Sequence, residues 1–332
     1  MGNRIAVIGS NSFSGASFVA YLLEQGVDVL GISRSSEPHP VFLPYRQVIK
    51  NGHGSFDFYQ LDINYNLYEI MEILGRFEPE YVINFAAQSM VAESWIKPEE
   101  WFQTNVVAMV KFHDQLRKFL FIKKYVHIST PEVYGSCQGI VKESRVYNPS
   151  TPYAVSRAAS DMSLYSFYKN YGFPVVFTRA ANVYGPGQQL YRIIPRAVLF
   201  FLTGRKLQLH GGGHSVRSFI HIRDVAQGTL LAALNGTDGD IFHFSTSKNI
   251  SIRELVEMIV LQTGVDFESC VEVVEDRPGK DAAYLLDSTK AKETLGWKDE
   301  ITLEQGIEEC IAWVKDNLNI LRNQKSDYIH KP

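Results

Sequence analysis

Residues 4–15 read RIAVIGSNSFSG, a short apolar run followed at once by small residues at regular spacing. The run from Arg4 to Ile8 has the length and composition of a buried strand. Gly9, Ser12 and Gly15 follow at three-residue intervals and lead into a segment with helical apolar spacing. Small residues in such a turn let a pyrophosphate approach the backbone at the helix N-terminus. This spacing is a weak signal by itself, and its place directly after the first strand makes it a predicted dinucleotide turn.

The first 180 residues repeat this alternation of short apolar runs and helical segments. Strands are predicted at Ile5–Gly9, Val27–Ile32, Ser55–Leu61, Tyr81–Phe85, Lys124–Ser129 and Val175–Arg179. Helices are predicted at Phe13–Gln25, Leu67–Phe77, Trp101–Phe121 and Tyr153–Tyr171. The pattern is typical of an α/β fold, a doubly wound (Rossmann) parallel sheet covered by helices.

After about residue 180 the elements become shorter and mixed, and no clean linker marks a boundary. Helices are still predicted at Ile194–Thr203, Arg223–Leu234, Ile252–Thr263 and Leu303–Asn317. We therefore expect residues 1–180 to form the nucleotide-binding domain and residues 181–322 to form most of a smaller, interleaved C-terminal substrate domain. Residues 323–332 are expected to be a frayed tail.

Composition excludes several classes of protein. With 45% apolar and 21% charged residues the chain is ordinary for a globular protein. Its 33 basic and 36 acidic residues give a net charge of −3, which does not indicate a nucleic-acid partner. Cys137, Cys270 and Cys310 are scattered, so neither a disulfide framework nor a metal site is expected. The chain start lacks the pattern of a signal peptide, and no run is long enough for a membrane span. We expect a cytoplasmic protein.

The predicted helix Trp101–Phe121 is apolar on more than one face. Such a helix is either deeply buried or packed against a second subunit. Both readings stay open at this point, and a homodimer is the assembly we expect.

The end of the second strand bears on the choice of cofactor. An acidic residue there accepts from the ribose 2′-hydroxyl of NAD, whereas an arginine suits the 2′-phosphate of NADP. This chain has Ser33 and Arg34, and its next carboxylate is Glu37. The sequence therefore favours NADP over NAD, with a solvated loop charge as the alternative role of Arg34.

Two later segments carry the candidate chemistry. Thr130 follows the fifth predicted strand, and Tyr153 and Arg157 are spaced i, i+4 on one face of a predicted helix. A nearby cation stabilises a phenolate, whose ordinary pKa is about 10, and so moves tyrosine toward use as a general base.

With these motifs the chain resembles the extended short-chain dehydrogenases/reductases, in the NAD(P)-dependent nucleotide-sugar epimerase/dehydratase branch, and most nearly the NDP-hexose 4,6-dehydratases. Matching pieces occur in family order over nearly the whole chain: Asp62-Ile63, 84–89 (NFAAQS), 104–106 (TNV), 179–186 (RAANVYGP), 217–221 (RSFIH), 277–279 (RPG) and 295–297 (LGW).

The resemblance implies a role for each catalytic candidate. Tyr153 is expected to take the proton of the sugar 4-hydroxyl while hydride leaves C4 for the nicotinamide. Thr130 stands where the family has the Ser or Thr that hydrogen-bonds the same oxygen. Arg157 replaces the usual Lys; its charge is expected to lower the pKa of Tyr153 and to reach the nicotinamide ribose, with contacts unlike those of an ammonium.

The pair after Thr130 separates the subfamilies. By resemblance, dTDP-glucose dehydratases carry Asp-Glu here, and GDP-mannose dehydratases and UDP-glucuronate decarboxylases carry Ser-Glu. This chain has Pro131-Glu132. Proline has no proton to donate, so Glu132 is expected to remove the C5 proton and then assist the leaving C6 hydroxyl. The alternative for Glu132 is a structural role, holding amides of the loop.

The resemblance also supplies binding residues. A tightly held nicotinamide cofactor is expected to contact Gly9, Asn11, Ser12, Phe13, Gly15, Ser33, Arg34, Asp62, Ile63, Phe85, Ala86, Ala87, Asn105, Tyr153 and Arg157. The hydroxyl of Ser12 is itself a candidate donor to phosphate. The nucleotide sugar is expected to contact Ser89, Asn182, Arg192, Arg217 and Arg277, because arginine forks bind diphosphates through paired charged hydrogen bonds.

The expected activity is NDP-hexose 4,6-dehydration: oxidation at C4, loss of water across C5 and C6, and return of hydride to C6. A nucleotide-sugar 4-epimerase and a UDP-uronate decarboxylase share the C4 oxidation and remain alternatives. A non-catalytic NADP-binding sensor or scaffold is a third. Gln88-Ser89 resembles the GDP-mannose enzymes and Arg277-Pro278-Gly279 the dTDP enzymes, so the base is left open.

Overall fold

A parallel sheet of seven strands forms the centre of the molecule. The computed structural model describes residues 4–52, 54–137, 139–275 and 285–331. In spatial order the strands are Ile241–Phe244, Val175–Ala180, Lys124–Ile128, Tyr81–Asn84, Arg4–Ile8, Asp28–Ser33 and Phe56–Gln60. Every neighbouring pair is parallel. The predicted doubly wound α/β fold is confirmed.

Helices cover both faces of this sheet and form most of the rest of the described chain. The α-helices are Phe13–Glu24, Tyr45–Lys50, Leu67–Phe77, Pro98–Phe102, Met109–Leu116, Pro152–Tyr171, Ile193–Leu202, Ile222–Asn235, Ile252–Thr263, Phe267–Cys270, Thr289–Leu295, Leu303–Asp316 and Leu318–Leu321. A π-helix, Gln103–Ala108, joins two of them, and the 3-10 turns are Pro40–Phe42, Glu93–Trp95, Pro131–Tyr134 and Gly211–Gly213.

Four short strand pairs lie outside the central sheet. They are Asn182–Tyr184 with Phe219–His221, Leu207–His210 with Val271–Val274, Val216–Arg217 with Ile250–Ser251, and Ile140–Val141 with Leu285–Leu286. Only the pair Val216–Arg217 and Ile250–Ser251 is antiparallel among them. Their neighbouring helices enclose a separate core that includes Phe200, Leu255 and Ile307. The predicted domain limits at residues 180 and 322 stay a prediction.

The seventh strand is the one strand of the central sheet that the sequence pattern missed. Ile241–Phe244 pairs with Val175–Ala180 and buries all four of its residues. A run of four residues in a region of mixed elements is too short to show a periodicity. Only its pairing with a neighbouring strand identifies it as part of the sheet.

The predicted helix Trp101–Phe121 is shorter than expected at its carboxyl end and stops at Leu116. A turn follows, in which Phe119 and Phe121 stack on each other at 4.8 Å and pack on the core of the sheet. Trp101, Met109 and Phe112 are buried, so core burial accounts for one face of this segment.

No helix in the described ranges has both the length and the apolar composition that crossing a membrane requires.

Candidate functional site

The turn after the first strand has the geometry that a phosphate-binding turn needs. Gly9 has φ +83°, and a Cβ on Gly9 would lie 2.6 Å from the Ala86 nitrogen. A Cβ on Gly15 would lie 2.2 Å from the Gly9 carbonyl oxygen. Both positions therefore require glycine, because the turn packs directly against the chain that leaves the neighbouring strand.

Ser12 caps the helix that this turn leads into. Its Oγ accepts from the Gly15 N–H at 3.0 Å, and its hydroxyl donates to the Gly9 carbonyl at 2.8 Å. This differs from the expected phosphate donation, since the hydroxyl proton is already bonded within the turn. Phe13 is buried in an apolar cluster, so only its backbone N–H remains for a ligand. The backbone amides of the helix start, with their dipole, are what suits an anion here.

A cleft with a volume of about 470 Å³ opens at the carboxyl ends of the sheet strands. In doubly wound folds ligands bind where the strand order reverses, here between Arg4–Ile8 and Tyr81–Asn84. Most predicted cofactor residues line this cleft: Gly9, Asn11, Ser12, Ser33, Arg34, Asp62, Ile63, Phe85, Ala86 and Ala87, together with the predicted substrate residue Ser89. These residues and the glycine geometry fit a dinucleotide.

Asn105 supports the cleft from within the protein. It is buried, its Oδ1 accepts from the Gln88 N–H at 2.9 Å, and its Nδ2 donates to the Gln88 carbonyl and to Ser156 Oγ, each at 2.9 Å. Asn105 thus orients the segment after the fourth strand, and its amide hydrogens are already used for that purpose.

The end of the second strand is engaged with other parts of the chain. Ser33 Oγ accepts from the Asn11 N–H at 2.9 Å. Arg34 Nη2 donates to the Lys331 carbonyl at 3.0 Å. Glu37 accepts from the Tyr45 hydroxyl at 2.7 Å and pairs with Arg46. The carboxylate that comes next along the chain is therefore held by two side chains of the helix Tyr45–Lys50.

The structure brings Thr130 and Tyr153 together. Tyr153 lies in the first turn of Pro152–Tyr171, whose start is capped by Thr151 and carries a proline at its first position. Thr130 and Tyr153 are both only 7% exposed, and the Thr130 side chain lies close enough to the Tyr153 phenol to help lower its pKa. Burial raises the pKa of Tyr153, while Arg157 opposes that shift. The expected effect of Arg157 has the right sign, but desolvation of the phenolate is larger in this structure.

Arg157 points into the protein rather than outward. It is buried, its Nη2 donates to the Ile128 carbonyl, and the same nitrogen lies 3.4 Å from His127 Nε2. His127 Nε2 in turn lies 3.4 Å from Asp161 Oδ1. One guanidinium nitrogen of Arg157 is therefore bonded to the end of the fifth strand. This bond competes with the predicted contact between Arg157 and a cofactor ribose.

Asp161 and Arg179 complete this buried group and were not predicted. Asp161 Oδ2 pairs with Arg179 Nη2 at 2.8 Å and accepts from Ser129 Oγ at 2.7 Å. A signal for Asp161 was present, since it follows Arg157 by four residues on the same helix face. Arg179 carried no such local signal, because it belongs to a neighbouring strand.

Glu132 lies close to the Tyr153 hydroxyl. It stands in the 3-10 turn Pro131–Tyr134, and its N–H donates to Thr130 Oγ1 at 3.3 Å. Its negative charge contributes to raising the pKa of Tyr153, as a carboxylate close to a phenol must. The structure therefore brings a hydroxyl, a carboxyl group and a phenol together after the carboxyl end of the sheet strand Lys124–Ile128.

The predicted sugar-side residues are placed differently from one another. The charge of Arg192 acts on Tyr153 and lowers its pKa, and Arg192 Nη2 lies 3.9 Å from Met90 Sδ. Asn182 Nδ2 donates to the Ser218 carbonyl at 3.0 Å, and Arg217 Nη1 donates to the Val216 carbonyl at 2.8 Å. Arg277 lies outside the described residues.

Within the part of the chain that the structure describes, no group of three His, Cys, Asp or Glu side chains is arranged to hold a metal ion.

Known proteins are similar to this chain over nearly its whole length. The family model described as GDP-mannose 4,6 dehydratase matches residues 7–310. A probable dTDP-glucose 4,6-dehydratase from Sinorhizobium fredii is 30% identical over 332 residues, covering 95% of this chain and 93% of that protein. The crystal structure of a dTDP-glucose 4,6-dehydratase from Streptomyces venezuelae with NAD bound is similar at a TM-score of 0.85, with 29% identity over 95% of this chain and 98% of that one. A UDP-glucose 4-epimerase from Thermotoga maritima, solved with UDP-glucose, is similar at a TM-score of 0.84, with 28% identity over 95% of this chain and 99% of that one.

Proposed function

We infer the activity from one premise, that the chain belongs to the GDP-mannose 4,6-dehydratase family, and we propose that it removes water from a nucleotide-diphosphate hexose across C5 and C6. The resemblance drawn from the sequence is confirmed by this membership. The observation that carries the proposal is that Thr130, Glu132 and Tyr153 lie together just after the carboxyl end of the sheet strand Lys124–Ile128, at the edge of the sheet where the cleft opens.

In the proposed reaction Tyr153 accepts the proton of the sugar 4-hydroxyl, and Thr130 donates a hydrogen bond to the same oxygen. When bound, the nicotinamide cofactor takes the hydride from C4 and returns it at C6. The charge of Arg157 favours the phenolate of Tyr153, and the burial of that hydroxyl keeps water from competing for it.

Glu132 then serves as both base and acid. Once C4 is a ketone, the C5 hydrogen is acidic, and the Glu132 carboxylate removes it. The same proton passes to the C6 hydroxyl, which leaves as water as the C5–C6 double bond forms. As hydride returns to C6, C5 takes up a proton from solvent, and Tyr153 releases to solvent the proton that it took from the 4-hydroxyl. Pro131 has no proton to offer, so one carboxyl group carries both transfers.

Arg157 provides a prediction about pH. Replacing Arg157 with Ala removes a charge that lowers the pKa of Tyr153, so that pKa rises further. A general base acts in its deprotonated form, and the rising limb of kcat against pH is expected to move to higher pH. We expect a rate loss at pH 7 of about tenfold or more, on the order of one pKa unit of phenolate stabilisation. Arg157→Lys is expected to keep the pH profile close to that of the wild type, because a positive charge still lowers the pKa of Tyr153.

The contradicting result is an Arg157→Ala profile that superimposes on the wild-type profile while the protein is folded. That result would mean the buried guanidinium acts only on packing.

The choice between NAD and NADP is a separate proposal. The sequence favoured NADP because of Arg34, but the Streptomyces venezuelae relative was solved with NAD. In this structure the Arg34 guanidinium donates to the Lys331 carbonyl. Since Arg34 has this other role, the argument for a 2′-phosphate contact is weakened, and we propose NAD.

Titration with NADH and NADPH, followed by ligand fluorescence, tests this proposal. We expect NADH to bind more tightly, and Arg34→Ala to leave the ratio of the two dissociation constants unchanged. Tighter NADPH binding that Arg34→Ala abolishes would restore Arg34 as a phosphate contact. Tight retention is expected for either form, because the hydride returns within each turnover and the cofactor has no need to leave.

A 4-epimerase is the second candidate, because an epimerase has nearly the same fold similarity as the dehydratase. Epimerisation needs Thr130 and Tyr153 but has no use for Glu132. The placement of Glu132 next to Tyr153 is the observation that favours dehydration.

We propose a homodimer as the assembly. Phe102 and Val107 are 37% and 41% exposed, while the same segment buries its other face. Val155 and Met162 on Pro152–Tyr171, the helix that packs beside this segment, are also exposed, at 38% and 56%. Together they offer apolar surface for a second copy of the chain.

Free Cys137, Cys270 and Cys310 favour a reducing compartment such as the cytoplasm.

Mass spectrometry of the purified protein with UDP-, dTDP-, GDP- and CDP-hexoses and UDP-glucuronate tests the proposed function. We expect one hexose to lose one water, which also identifies the base. Loss of carbon dioxide from UDP-glucuronate alone, or an isomer of unchanged mass, would replace dehydration with decarboxylation or epimerisation.

A further inference from the structure

Residues 327–331, here called the strap, cross the mouth of the ligand cleft. The sequence predicts a frayed tail in this region, yet the strap makes side-chain contacts along its length. Asp327 pairs with Arg196 at 2.9 Å, and the Tyr328 ring packs edge-on against Tyr191 at 5.3 Å.

The other end of the strap is held by the opposite side of the cleft. The His330 ring stacks on Trp101 at 5.1 Å and 10°, and its Nε2 pairs with Glu100. The Lys331 carbonyl accepts two hydrogen bonds, from Gln88 Nε2 at 2.8 Å and from Arg34 Nη2 at 3.0 Å.

These anchors belong to two different parts of the fold. Arg196 and Tyr191 come from the region after the sheet strand Val175–Ala180, whereas Gln88 and Arg34 follow strands of the central sheet. The strap therefore spans the cleft from its sugar side to its cofactor side. The ion pair with Arg196 is exposed and the Lys331 carbonyl is held by single hydrogen bonds, so each of these contacts is weak alone.

The strap lines the cleft without filling it. Tyr328, Ile329 and Lys331 form part of the same wall as Gly9, Asn11 and Asp62, and a volume of about 470 Å³ remains beside them. The cleft therefore has room for a ligand while the strap is in place, so the strap does not block the site.

We propose that the strap is a wall of the cofactor site and retains the dinucleotide between turnovers. The inference rests on the proposed function, since an enzyme that returns its hydride within one turnover gains from slow cofactor release. Tyr328 and His330 hold the strap closed, and the bound dinucleotide leaves when their contacts with Tyr191 and Trp101 separate.

The test is the dissociation rate of NADH from the full chain, followed by loss of NADH fluorescence after addition of excess NAD. The variant is Tyr328→Ala/His330→Ala, which removes both ring contacts. The matched control is Lys325→Ala, an exposed residue of the same terminal region outside the strap. We expect dissociation at least tenfold faster in the double variant and unchanged in the control.

His330→Phe is a second variant that keeps the stack on Trp101 and loses the pair with Glu100. It is expected to release NADH at a rate between those of the wild type and the double variant. Thermal melting without cofactor verifies that each variant is folded.

An unchanged dissociation rate in a folded double variant would overturn the inference. So would faster NADH association at an unchanged dissociation rate, because a segment that only blocks entry of the cofactor would give that result. Neither measurement uses a sugar substrate, so a protein that shows the expected NADH kinetics but dehydrates no nucleotide hexose would contradict the proposed function and leave the strap's role standing.

Discussion

Tyr153→Phe is expected to lower kcat by about 10³-fold, within the range for loss of a general base. The change removes one oxygen from a side chain that is already buried, so packing of the helix Pro152–Tyr171 is retained. Thr130 keeps the hydrogen bond that its Oγ1 accepts from the Glu132 N–H, so the turn beside the site is retained as well. The measurement is single-turnover kinetics with the nucleotide hexose identified by mass spectrometry.

Tyr171→Phe is the matched control for this experiment. It makes the same change at the far end of the same helix, where the ring is 53% exposed. Its turnover is expected to equal that of the wild type. If Tyr153→Phe retained more than about a tenth of the wild-type rate, a general base would have to be sought elsewhere, since the loss would fall below the usual range.

Glu132→Gln is expected to lower the rate of water loss by about 10²- to 10⁴-fold, because one carboxyl group is proposed to carry both proton transfers. Oxidation at C4 does not need this carboxyl group. We therefore expect the absorbance of reduced nicotinamide to build up and persist after the sugar is added. Glu132 also raises the pKa of Tyr153, so its removal is expected to move the pH profile of the oxidation step to lower pH.

Glu69→Gln makes the same chemical change at an exposed position of the helix Leu67–Phe77 and is expected to have no effect. Full water-loss activity in Glu132→Gln would assign Glu132 to the structural alternative. A variant that converts substrate to an isomer at the wild-type rate would favour epimerisation.

Local pattern was enough to predict the central sheet. All six predicted strands are present with each end within one residue of its predicted position, since each is an apolar run between clear turns. Ile241–Phe244 was missed because its place depends on pairing with Val175–Ala180, a contact that no periodicity within the run reports. Helix bounds were predicted well where caps exist, as at Thr151 and Gly172 around Pro152–Tyr171.

The candidate site, like the fold, could be predicted only in part from the sequence. The i, i+4 spacing of Tyr153 and Arg157 and the position of Thr130 after a strand were visible in the sequence. The direction in which Arg157 points was not, because it depends on the Ile128 carbonyl and on His127 in a neighbouring strand. The strap was missed for a similar reason: a polar segment with no period gains its place only from contacts with distant residues such as Trp101 and Gln88.

The most direct test of the account uses the nucleotide hexose that loses water, prepared with deuterium at C4. The account predicts a product that has lost one water and carries the deuterium at C6, because the hydride removed from C4 returns within the same turnover. Deuterium lost from the product, or retained at C4 in a sugar of unchanged composition, would contradict 4,6-dehydration by this chain.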